Sequence, residues 1–410
     1  MKVLQRYRRL AGCATVILGL TSLAAPAAAP AQARVAATPV ASRVVASWGD
    51  NTVGQLGDGT TVLRTLFHDI AAGRDVVQVA GGRVHGLALR SDGTVSAWGL
   101  NEHGELGDGT TTDRFTPVQV KGLTGVITQV AAGEGFSLAL RSDGTVWAWG
   151  QNDHGQLGRG IITSEGVAPA RVAVLNHVTK ISAGRKFGLA LRSDGIVFAW
   201  GAGQFGQLGN GATADSPVPV KIAGLAQVTG ISAGSDAALA TEASAISAVT
   251  SVWAWGNNDE GQLGDGTTIS HPTPGRVTGL PVSIAGISAG NQFAAVLGPD
   301  GSVWGWGSNV LGQLDIAPAG SAVTRPVNII AAGSRITQIS AGGAHMLALR
   351  SDGTVLGWGL NVRGQLGNGT QSQVTGAVEV TNMGGATQVA AGTLSSYAVH
   401  TVLVLSGQSS

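Results

Sequence analysis

Cysteine, charged residues and long apolar runs are all scarce in this sequence. Only one of its 410 residues, Cys13, is a cysteine, so the chain cannot close an internal disulfide and must be stabilised by burial. Charged residues make up 12% of the chain, whereas about 25% is usual for soluble domains. After residue 9 there is no block of Lys and Arg. A surface that follows a phosphate backbone is therefore excluded, and we expect no nucleic-acid partner.

The first 33 residues have the organisation of a secretory signal peptide. Four basic residues precede a long apolar run, which ends in small residues. We predict cleavage after Ala29 or Ala33, followed by a short linker over residues 34–42. Cleavage removes Cys13 and leaves 21 basic and 24 acidic residues, a net charge of about −3. No later apolar run reaches the roughly 18 to 20 residues that span a bilayer. We therefore expect a secreted protein that is not inserted in a membrane, with association with the cell surface as an open alternative.

Glycine, by contrast, is abundant with 64 residues, and it marks an internal repeat. The dipeptide Trp-Gly recurs seven times at intervals of 50 to 55 residues. An apolar segment ending in Ala-Gly or Gly-Gly recurs seven times between these copies. The tryptophans are Trp48, Trp98, Trp149, Trp200, Trp255, Trp306 and Trp358, and the closing glycines are Gly82, Gly133, Gly184, Gly234, Gly290, Gly342 and Gly392. A period of this length indicates a propeller or another repeat architecture.

Each repeat has the local pattern of strands joined by tight turns. In "GLALRSDGTVSAWG", residues 86–99, two β-prone runs flank an Asp-Gly turn. Valine stands three positions before every Trp of the Trp-Gly pairs, and a small residue stands one position before it. Since alternate residues of a strand point to opposite faces, each strand has a bulky face and a small face. The bulky face of one sheet can then pack on the small face of the next sheet, as in a ring of radially arranged sheets.

The two ends of the chain complete one repeat between them. The N-terminal unit has a Trp-Gly half without a preceding Ala-Gly half, and the C-terminal unit has the reverse. We predict an all-β fold, a seven-bladed β-propeller of four-stranded blades over residues 43–405. Strands from both termini share one blade and close the ring, which removes exposed strand edges. Residues 406–410 form a C-terminal tail, and we expect a monomer.

The stretch "AGGAHMLALRSDGTVLGWGLNVRGQLGNGT", residues 341–370, resembles the regulator of chromosome condensation repeat family. The resemblance covers residues 43–405 and implies a propeller. Three departures are visible. The His of "AGxxH" occurs only at His85 and His345, with Phe, Ala or Ser in the other repeats; repeat six has "GQLDIAP" for "GQLGDGT"; and repeat four replaces the Asp-Gly turn by the longer segment 241–251. We expect the two histidines to be bonded to backbone groups.

Functional residues are expected where the repeats differ. If the strands form hairpins, the "AGxx" and "WGxNxx" loops of all blades lie at one end of the ring, and varied loops on a rigid frame are typical of recognition surfaces. The candidate partner-binding residues on this face are Arg83, Glu102, His103, Glu134, Gln151, Asp153, His154, Arg185, Lys186, Gln204, Phe205, Asp236, Asp259, Glu260, Gln292, Val362 and Arg363.

No catalytic or metal-binding motif is present. The adjacent Asp153 and His154 suggest a site, but their slots hold unrelated residue types in the other repeats. The Asp of "GDG", as at Asp58, alternates with Asn and offers one oxygen ligand per repeat, whereas Ca²⁺ takes six to eight. We therefore interpret these residues, and the Asn three positions after each Trp, as turn residues. We expect no cofactor, no metal ion and no catalytic residue.

The sequence favours a secreted, non-enzymatic scaffold that binds a protein, or a surface polymer, through the loop face. In its signal peptide and blade number it also resembles the secreted propeller inhibitors of β-lactamases, which implies inhibition of a secreted enzyme as one form of this function. Two alternatives stay open. Guanine-nucleotide exchange on a small GTPase is implied by the family's best-known member, and a lyase or hydrolase could have its site at the channel mouth.

Overall fold

The structure, a computed structural model, describes residues 39–244, 249–316, 320, 322–373 and 376–405. The predicted signal peptide, the tail at 406–410 and the centre of the segment 241–251 lie outside these residues. The strands are β1 Pro39–Gly49, β2 Arg64–Ile70, β3 Val76–Gly81, β4 His85–Arg90, β5 Val95–Gly99, β6 Arg114–Gln119, β7 Ile127–Ala132, β8 Phe136–Arg141, β9 Val146–Gln151, β10 Glu165–Arg171, β11 Val178–Ala183, β12 Phe187–Arg192, β13 Val197–Gly201, β14 Ser216–Lys221, β15 Val228–Ala233, β16 Ala237–Ala243, β17 Thr250–Gly256, β18 His271–Arg276, β19 Gly286–Ala289, β20 Phe293–Leu297, β21 Val303–Gly307, β22 Val323–Ile330, β23 Ile336–Ala341, β24 His345–Arg350, β25 Val355–Gly359, β26 Val378–Glu379, β27 Ala386–Ala391 and β28 Ser395–Leu405.

These strands form seven antiparallel sheets of four strands each, which confirms the predicted seven-bladed propeller. Blades 1 to 6 each take four consecutive strands, from β3–β6 for blade 1 to β23–β26 for blade 6. Blade 7 has the order β27-β28-β1-β2, so both termini contribute two strands to it, as predicted. Among the described residues, no helix is long and apolar enough to cross a membrane.

The closing blade has an unusually long central ladder. Strands β1 and β28 pair over eleven residues, from Pro39 opposite Leu405 to Gly49 opposite Ser395. Strand β1 therefore begins at Pro39, inside the predicted linker and four residues before the predicted boundary at 43. The reason is that β28 continues to Leu405 and provides backbone partners for these residues, which no local sequence signal reveals.

The hydrophobic cores lie between blades, and the repeated tryptophans cross them. All seven Trp-Gly tryptophans are fully buried. Each indole Nε1–H donates to a backbone carbonyl of the preceding blade, in the "GQL" or "GEL" segment. These seven bonds of 2.7 to 3.1 Å join Trp48 to Gln365, Trp98 to Gln55, Trp149 to Glu105, Trp200 to Gln156, Trp255 to Gln207, Trp306 to Gln262 and Trp358 to Gln313. The tryptophan thus fills a junction and fixes its register at the same time.

Polar side chains of the inner strands also cross every junction. In blades 1, 2, 6 and 7 a glutamine bonds both the N–H and the C=O of one residue in the next inner strand. These glutamines are Gln78, Gln129, Gln338 and Gln388. In blades 3 to 6 a serine hydroxyl accepts from a backbone N–H of the next inner strand, so blade 6 has both kinds of bond. These serines are Ser182, Ser232, Ser288 and Ser340. Every junction therefore has at least one such bond, each contributing about 1 kcal/mol.

The closing glycines of the "AG" and "GG" segments form a tight ring around the propeller axis. A Cβ atom built on any of the seven would lie 2.4 to 2.8 Å from the carbonyl oxygen of the corresponding glycine in the next blade. Next to this glycine ring, one backbone N–H of each blade donates to a carbonyl of the following blade. The seven bonds are Arg83 to Gly133, Glu134 to Arg185, Arg185 to Ser235, Ser235 to Gly290, Asn291 to Gly342, Gly343 to Gly392 and Thr393 to Gly82. Only glycine permits this approach of backbones.

The two histidines of the "AGxxH" slot are bonded to side chains, so the expectation of backbone partners is wrong. His85 Nε2 lies 2.9 Å from Ser137 Oγ of blade 2, and His345 Nε2 lies 2.9 Å from Ser396 Oγ of blade 7. Each serine hydroxyl in turn donates to a buried backbone carbonyl. Only blades 2 and 7 have serine after the slot, and the histidines occur in the blades directly before them. The His or Phe choice therefore depends on the neighbouring blade.

Candidate functional site

One end of the ring, which we call the loop face, carries the "AGxx" and "WGxNxx" loops of every blade, as predicted. In each blade the residue after the Trp-Gly pair donates its backbone N–H to the residue just before the second strand. These bonds join Asp50 to Leu394, Leu100 to Val84, Gln151 to Gly135, Ala202 to Lys186, Asn257 to Asp236, Ser308 to Gln292 and Leu360 to Ala344. The opposite end carries the tight hairpin turns, and we call it the hairpin face.

A buried asparagine organises each long loop of this face in six of the seven blades. Asn51 is fully buried, and its side-chain oxygen accepts from the Leu56 N–H. Its Nδ2 donates to Asp58 Oδ1 and to the Thr60 and Val62 carbonyls. Blade 3 has Gly203 in this slot, which donates its N–H to Asp215 instead. The turn interpretation of this asparagine is thus confirmed.

The aspartates of "GDG" are held by the same turns. Asp58 accepts from the Thr60 N–H and hydroxyl and forms an ion pair with Arg64 at 2.7 Å. Burial raises the pKa of the Asp58 carboxyl, but the bonds from Thr60, Arg64 and Asn51 outweigh it and lower the pKa overall. Among the described residues, no group of three or more His, Cys, Asp or Glu side chains is placed to hold a metal ion.

A cavity of about 740 Å³ lies at the ring axis on the loop face. All seven blades line it through the ends of their inner strands, and long-loop residues of blades 3 and 4 add to its wall. Of the seventeen predicted residues, the cavity lining includes Arg83, Glu134, Arg185, Phe205, Asp236, Asp259 and Gln292. The other ten, Glu102, His103, Gln151, Asp153, His154, Lys186, Gln204, Glu260, Val362 and Arg363, belong to the surrounding loops and are not brought to the cavity.

The charges of blades 1 to 4 on this face are largely paired with one another. Arg83 contacts Glu134, and Arg185 contacts Asp236 at 2.8 Å, each pair joining two blades. Burial raises the pKa of Asp236, and the Arg185 guanidinium partly offsets this shift. Positive charge beside the cavity is therefore neutralised within the protein.

Asp153 and His154 belong to a second set of pairs between blades 2 and 3. Lys186 Nζ lies 2.7 Å from Asp153 Oδ2, and His154 Nδ1 lies 2.7 Å from Asp215 Oδ2. Burial raises the pKa of Asp153, but the hydrogen bonds from Lys186 and Gln156 lower it overall. These two residues, which looked like a reactive pair in the sequence, fix the relative positions of two loops.

Several exposed apolar residues of the long loops are absent from the predicted set, namely Val62, Ile161, Ile162, Ile269, Val310 and Leu311. Val310 and Leu311 of blade 5 occupy the slots that hold Asp153 and His154 in blade 2, with 55% and 38% of their surface exposed. Alignment of the repeats placed Leu311 in a variable slot, but apolar side chains gave no chemical signal. Their exposure, rather than their residue type, identifies them as candidates.

Glu105 is the one acidic residue in the buried glutamine slot of the "GQL" segments, and its replacement by glutamine should stabilise the protein. It is only 1% exposed, and it accepts the His103 N–H just as the six sister glutamines accept theirs. Burial raises the pKa of the Glu105 carboxyl, so ionisation is disfavoured in the folded state. We expect Glu105→Gln to raise the free energy of unfolding at pH 7 by about 1 kcal/mol, measured by urea denaturation.

The pH dependence of this gain has a defined sign. A raised folded-state pKa means that the charged side chain weakens the wild type above that pKa, and that the penalty disappears once the carboxyl is protonated in both states. The gain should therefore shrink as the pH falls from the raised folded-state pKa of Glu105 towards the ordinary range of glutamate, and it should be absent below that range. The exposed Glu102→Gln serves as the matched control, and an equal gain there would contradict the role of burial.

Comparisons with known proteins agree with this architecture. A sequence profile of the RCC1-like domain matches residues 44–247. The profile of the regulator of chromosome condensation (RCC1) repeat matches residues 251–297, 300–349 and 352–399. The Ultraviolet-B receptor UVR8 of Arabidopsis thaliana is 32% identical over 80% of this chain and 75% of its own length. The human E3 ubiquitin-protein ligase HERC2 is 30% identical over 81% of this chain but only 7% of its own length.

Two solved structures share the fold at lower identity. Human WBSCR16 has a TM-score of 0.78 and 24% identity, with 87% of this chain and 98% of that chain covered. Prp20p of Saccharomyces cerevisiae has a TM-score of 0.76 and 23% identity, with 90% and 93% covered. Both likenesses show the ring architecture alone.

Proposed function

This chain belongs to the regulator of chromosome condensation (RCC1) repeat family, and we propose that it is a non-enzymatic scaffold that binds a partner protein through the loop face. The proposal rests on the contrast between the buried framework of the blades and the exposed residues of their loops. The same indole bonds and ring glycines recur in all seven blades, whereas the exposed residues between them change from blade to blade. A rigid frame with varied loops has the organisation of a recognition surface.

The relatives support binding of a protein rather than a particular activity. The structure of Prp20p is described with its binding to Gsp1p and histones, and another yeast RCC1 structure is bound to Kap60. These partners belong to those proteins. The ligase function of HERC2 is not carried over, because the chain corresponds to 7% of that protein.

We place the binding partner outside the cell, because the first 33 residues have the composition of a secretory signal peptide. Inhibition of a secreted enzyme is the more specific form of the proposal, and it is motivated by the resemblance in signal peptide and blade number to the secreted propeller inhibitors of β-lactamases. A surface polymer is a second possible ligand of the same face.

Two alternative functions make different demands on the chain. Guanine-nucleotide exchange on a GTPase requires that the N-terminal segment is retained and the protein stays inside the cell. Recovery of the protein from culture medium with an N-terminus near Pro30 or Arg34 would argue against it. A lyase or hydrolase site at the cavity requires turnover by the purified protein, which a substrate screen with and without a chelator would detect.

Replacement of five loop-face residues by alanine should abolish capture of the partner. The variant combines Asp153, His154, Phe205, Asp259 and Glu260, and the wild type and variant are compared as baits for the secreted and surface fractions. We expect the main captured protein to be lost by at least about 100-fold, because hot-spot contacts carry most of the binding energy.

The matched control replaces five exposed residues of the hairpin face, namely Lys121, Val126, Val174, Lys221 and Glu379. Its melting temperature and that of the loop-face variant should stay close to the wild type, since exposed ion pairs contribute about 1 kcal/mol or less. Undiminished capture by the loop-face variant would show that binding uses another surface.

A further inference from the structure

The cavity at the ring axis departs from the sevenfold repetition of the frame. All seven blades line it with the ends of their inner strands, but within the described ranges the long-loop residues of its lining come from blades 3 and 4 alone. These residues are Phe205, Asn257, Asp259 and Gln262. One side of the cavity is therefore built differently from the rest. We call Phe205, Arg185, Asp236, Asn257 and Asp259, which all line this side, the cavity wall.

Hydrogen bonds connect the residues of the cavity wall. Gln207 Oε1 accepts the Phe205 N–H at 2.9 Å, and Gln207 Nε2 lies 3.5 Å from Asp236 Oδ1. The Asp236 carbonyl accepts the Asn257 N–H at 2.9 Å, and Asn257 Nδ2 donates to Asp259 Oδ2 at 3.0 Å. The aromatic ring and the two carboxylates are thus held in one bonded network at the cavity.

The charges of the cavity lining leave no cation for an anionic ligand. Its two guanidinium groups, Arg83 and Arg185, are paired with Glu134 and Asp236. The third carboxylate, Asp259, is exposed, and among the described residues its Oδ1 has no hydrogen-bond partner. A phosphate or carboxylate ligand would therefore meet excess negative charge, which disfavours its binding.

The same lining offers hydrogen-bond donors as well as acceptors. The side-chain amides of Asn291 and Gln292 are exposed and make no hydrogen bond within the described part of the chain. The hydroxyls of Ser232 and Ser288 each accept one backbone N–H and retain a proton to donate. A cationic ligand would use the acceptors alone and leave these donors unpaired, whereas a hydroxyl group both donates and accepts. The lining therefore favours an uncharged ligand with several hydroxyl groups.

Phe205 adds an apolar surface to the cavity wall. It is the one aromatic residue of the cavity lining in the described ranges, and its side chain is half-buried. The slot of Phe205 holds Val, His, Glu, Leu or Arg in the other blades. The negative face of an aromatic ring attracts polarised C–H groups. A sugar ring has such C–H groups together with hydroxyls, so it matches a phenyl ring that lies beside a carboxylate and an arginine.

We propose that the cavity at the ring axis is a binding site for a neutral sugar, whose ring packs on Phe205 and whose hydroxyls bond to Asp259 and to the free N–H groups of Arg185. The cavity volume of about 740 Å³ lies within the range of about 300 to 1,000 Å³ for small-molecule sites. Surface polysaccharides and glycans attached to proteins are two sources of such sugars. The inference goes beyond the proposed protein scaffold, and it gives a chemical class to the surface polymer named as a second ligand.

A glycan array probed with the labelled protein tests this proposal. One arm of the array carries neutral fragments of surface polysaccharides, and the other carries glycans of the types attached to proteins, so the array distinguishes the two sources. We expect binding to neutral saccharides in at least one arm. Isothermal titration calorimetry with the best free saccharide should give an affinity that does not change as salt is raised, because the ligand carries no charge.

Two substitutions in the cavity wall should weaken this binding. Phe205→Ala removes the ring contact, and Asp259→Asn removes the charged acceptor. Each should reduce the affinity for the best saccharide by about tenfold or more. Leu311→Ala and Glu260→Gln are the matched controls and should leave the affinity unchanged. Leu311 occupies the slot of Phe205 in blade 5, and Glu260 follows Asp259, but neither belongs to the cavity lining.

Failure to bind any neutral saccharide would overturn the proposal. Tighter binding of an acidic saccharide, of adenosine or of an arginine-containing peptide in the same titration would also overturn it. Equal losses of affinity in the control variants would place the sugar on the outer loops and overturn the cavity as its site. The array contains no protein, so its result is separate from the capture experiment that tests the protein scaffold.

Discussion

Replacing Gly234 with alanine is expected to lower the free energy of unfolding by about 3 kcal/mol or more. A Cβ atom at this position would lie 2.4 Å from the Gly290 carbonyl oxygen and 3.2 Å from Ala289 Cβ. The first contact is with backbone, which cannot rotate away as a side chain can. Relief requires the inner strands of blades 4 and 5 to separate, and that also strains the Ser235 to Gly290 bond of the ring. The whole glycine ring resists the separation because it is closed.

Gly384→Ala provides the matched control for this experiment. No atom lies within 4 Å of a Cβ built on Gly384, and neither glycine has a positive φ, so backbone strain does not distinguish them. Urea unfolding followed by tryptophan fluorescence measures both variants, with the indoles at every junction as reporters. Equal midpoints for the two variants would mean that the ring tolerates a methyl group, contrary to the close approach of its backbones.

Acidification is expected to destabilise the protein strongly between pH 6.5 and 4 through His85 and His345. Burial lowers the pKa of each imidazole to about 4, from an ordinary value of 6.5. Below pH 6.5 the two histidines therefore bind protons in the unfolded chain but stay neutral in the folded protein. The free energy of unfolding consequently decreases as the pH is lowered. Each histidine contributes about 1.4 kcal/mol per pH unit in this window, or roughly 3 kcal/mol by pH 4. Above pH 6.5 both are neutral in both states and the effect vanishes.

The comparison variant replaces both histidine–serine pairs with the phenylalanine–glycine pair that blades 2 and 3 have at the equivalent positions. It combines H85F, S137G, H345F and S396G, and its urea midpoint is measured from pH 7.5 to 4. We expect its stability to be nearly flat where the wild type declines. Shifted carboxylates, such as Asp236 with its raised pKa, are present in both proteins and cancel in the difference. A decline as steep as that of the wild type would assign the acid sensitivity to other groups.

Much of the architecture could be predicted from the repeat, because each blade must bury both faces of its sheet against its two neighbours. Valine and a small residue on one strand face and tryptophan on the other predicted two-sided packing, and the buried indoles confirm it. The unmatched half-repeats at the two ends predicted the shared blade. The start of β1 at Pro39 was missed, because it depends on pairing with Leu405, more than 360 positions away in the chain.

The loop face was predicted as a surface but not as a pattern of contacts. Asp153 and His154 were singled out by their residue types, yet Asp153 forms an ion pair with Lys186 and His154 is hydrogen-bonded to Asp215. Val310 and Leu311 were not selected as candidates, because an apolar residue in a β-rich sequence is ordinarily buried. Spacing within one repeat cannot show which loops of different blades meet, so neither outcome was visible in the sequence.

The sequence by itself determined the number of blades, their four strands, the closure by both termini and the end of the ring where variation collects. These properties follow from the alternation of bulky and small residues along each strand and from the spacing of the Trp-Gly pairs. Both are local sequence patterns that recur in all seven repeats. Only the tertiary structure shows which charges are neutralised by a partner. It also explains why the closing residues of the ring are glycines, and why histidine replaces phenylalanine only in a blade that precedes one with serine. Each of these is a relation between neighbouring blades. It exists only once the strands have curved into a ring, in which backbone N–H and C=O groups of adjacent blades lie 3.0 to 3.3 Å apart.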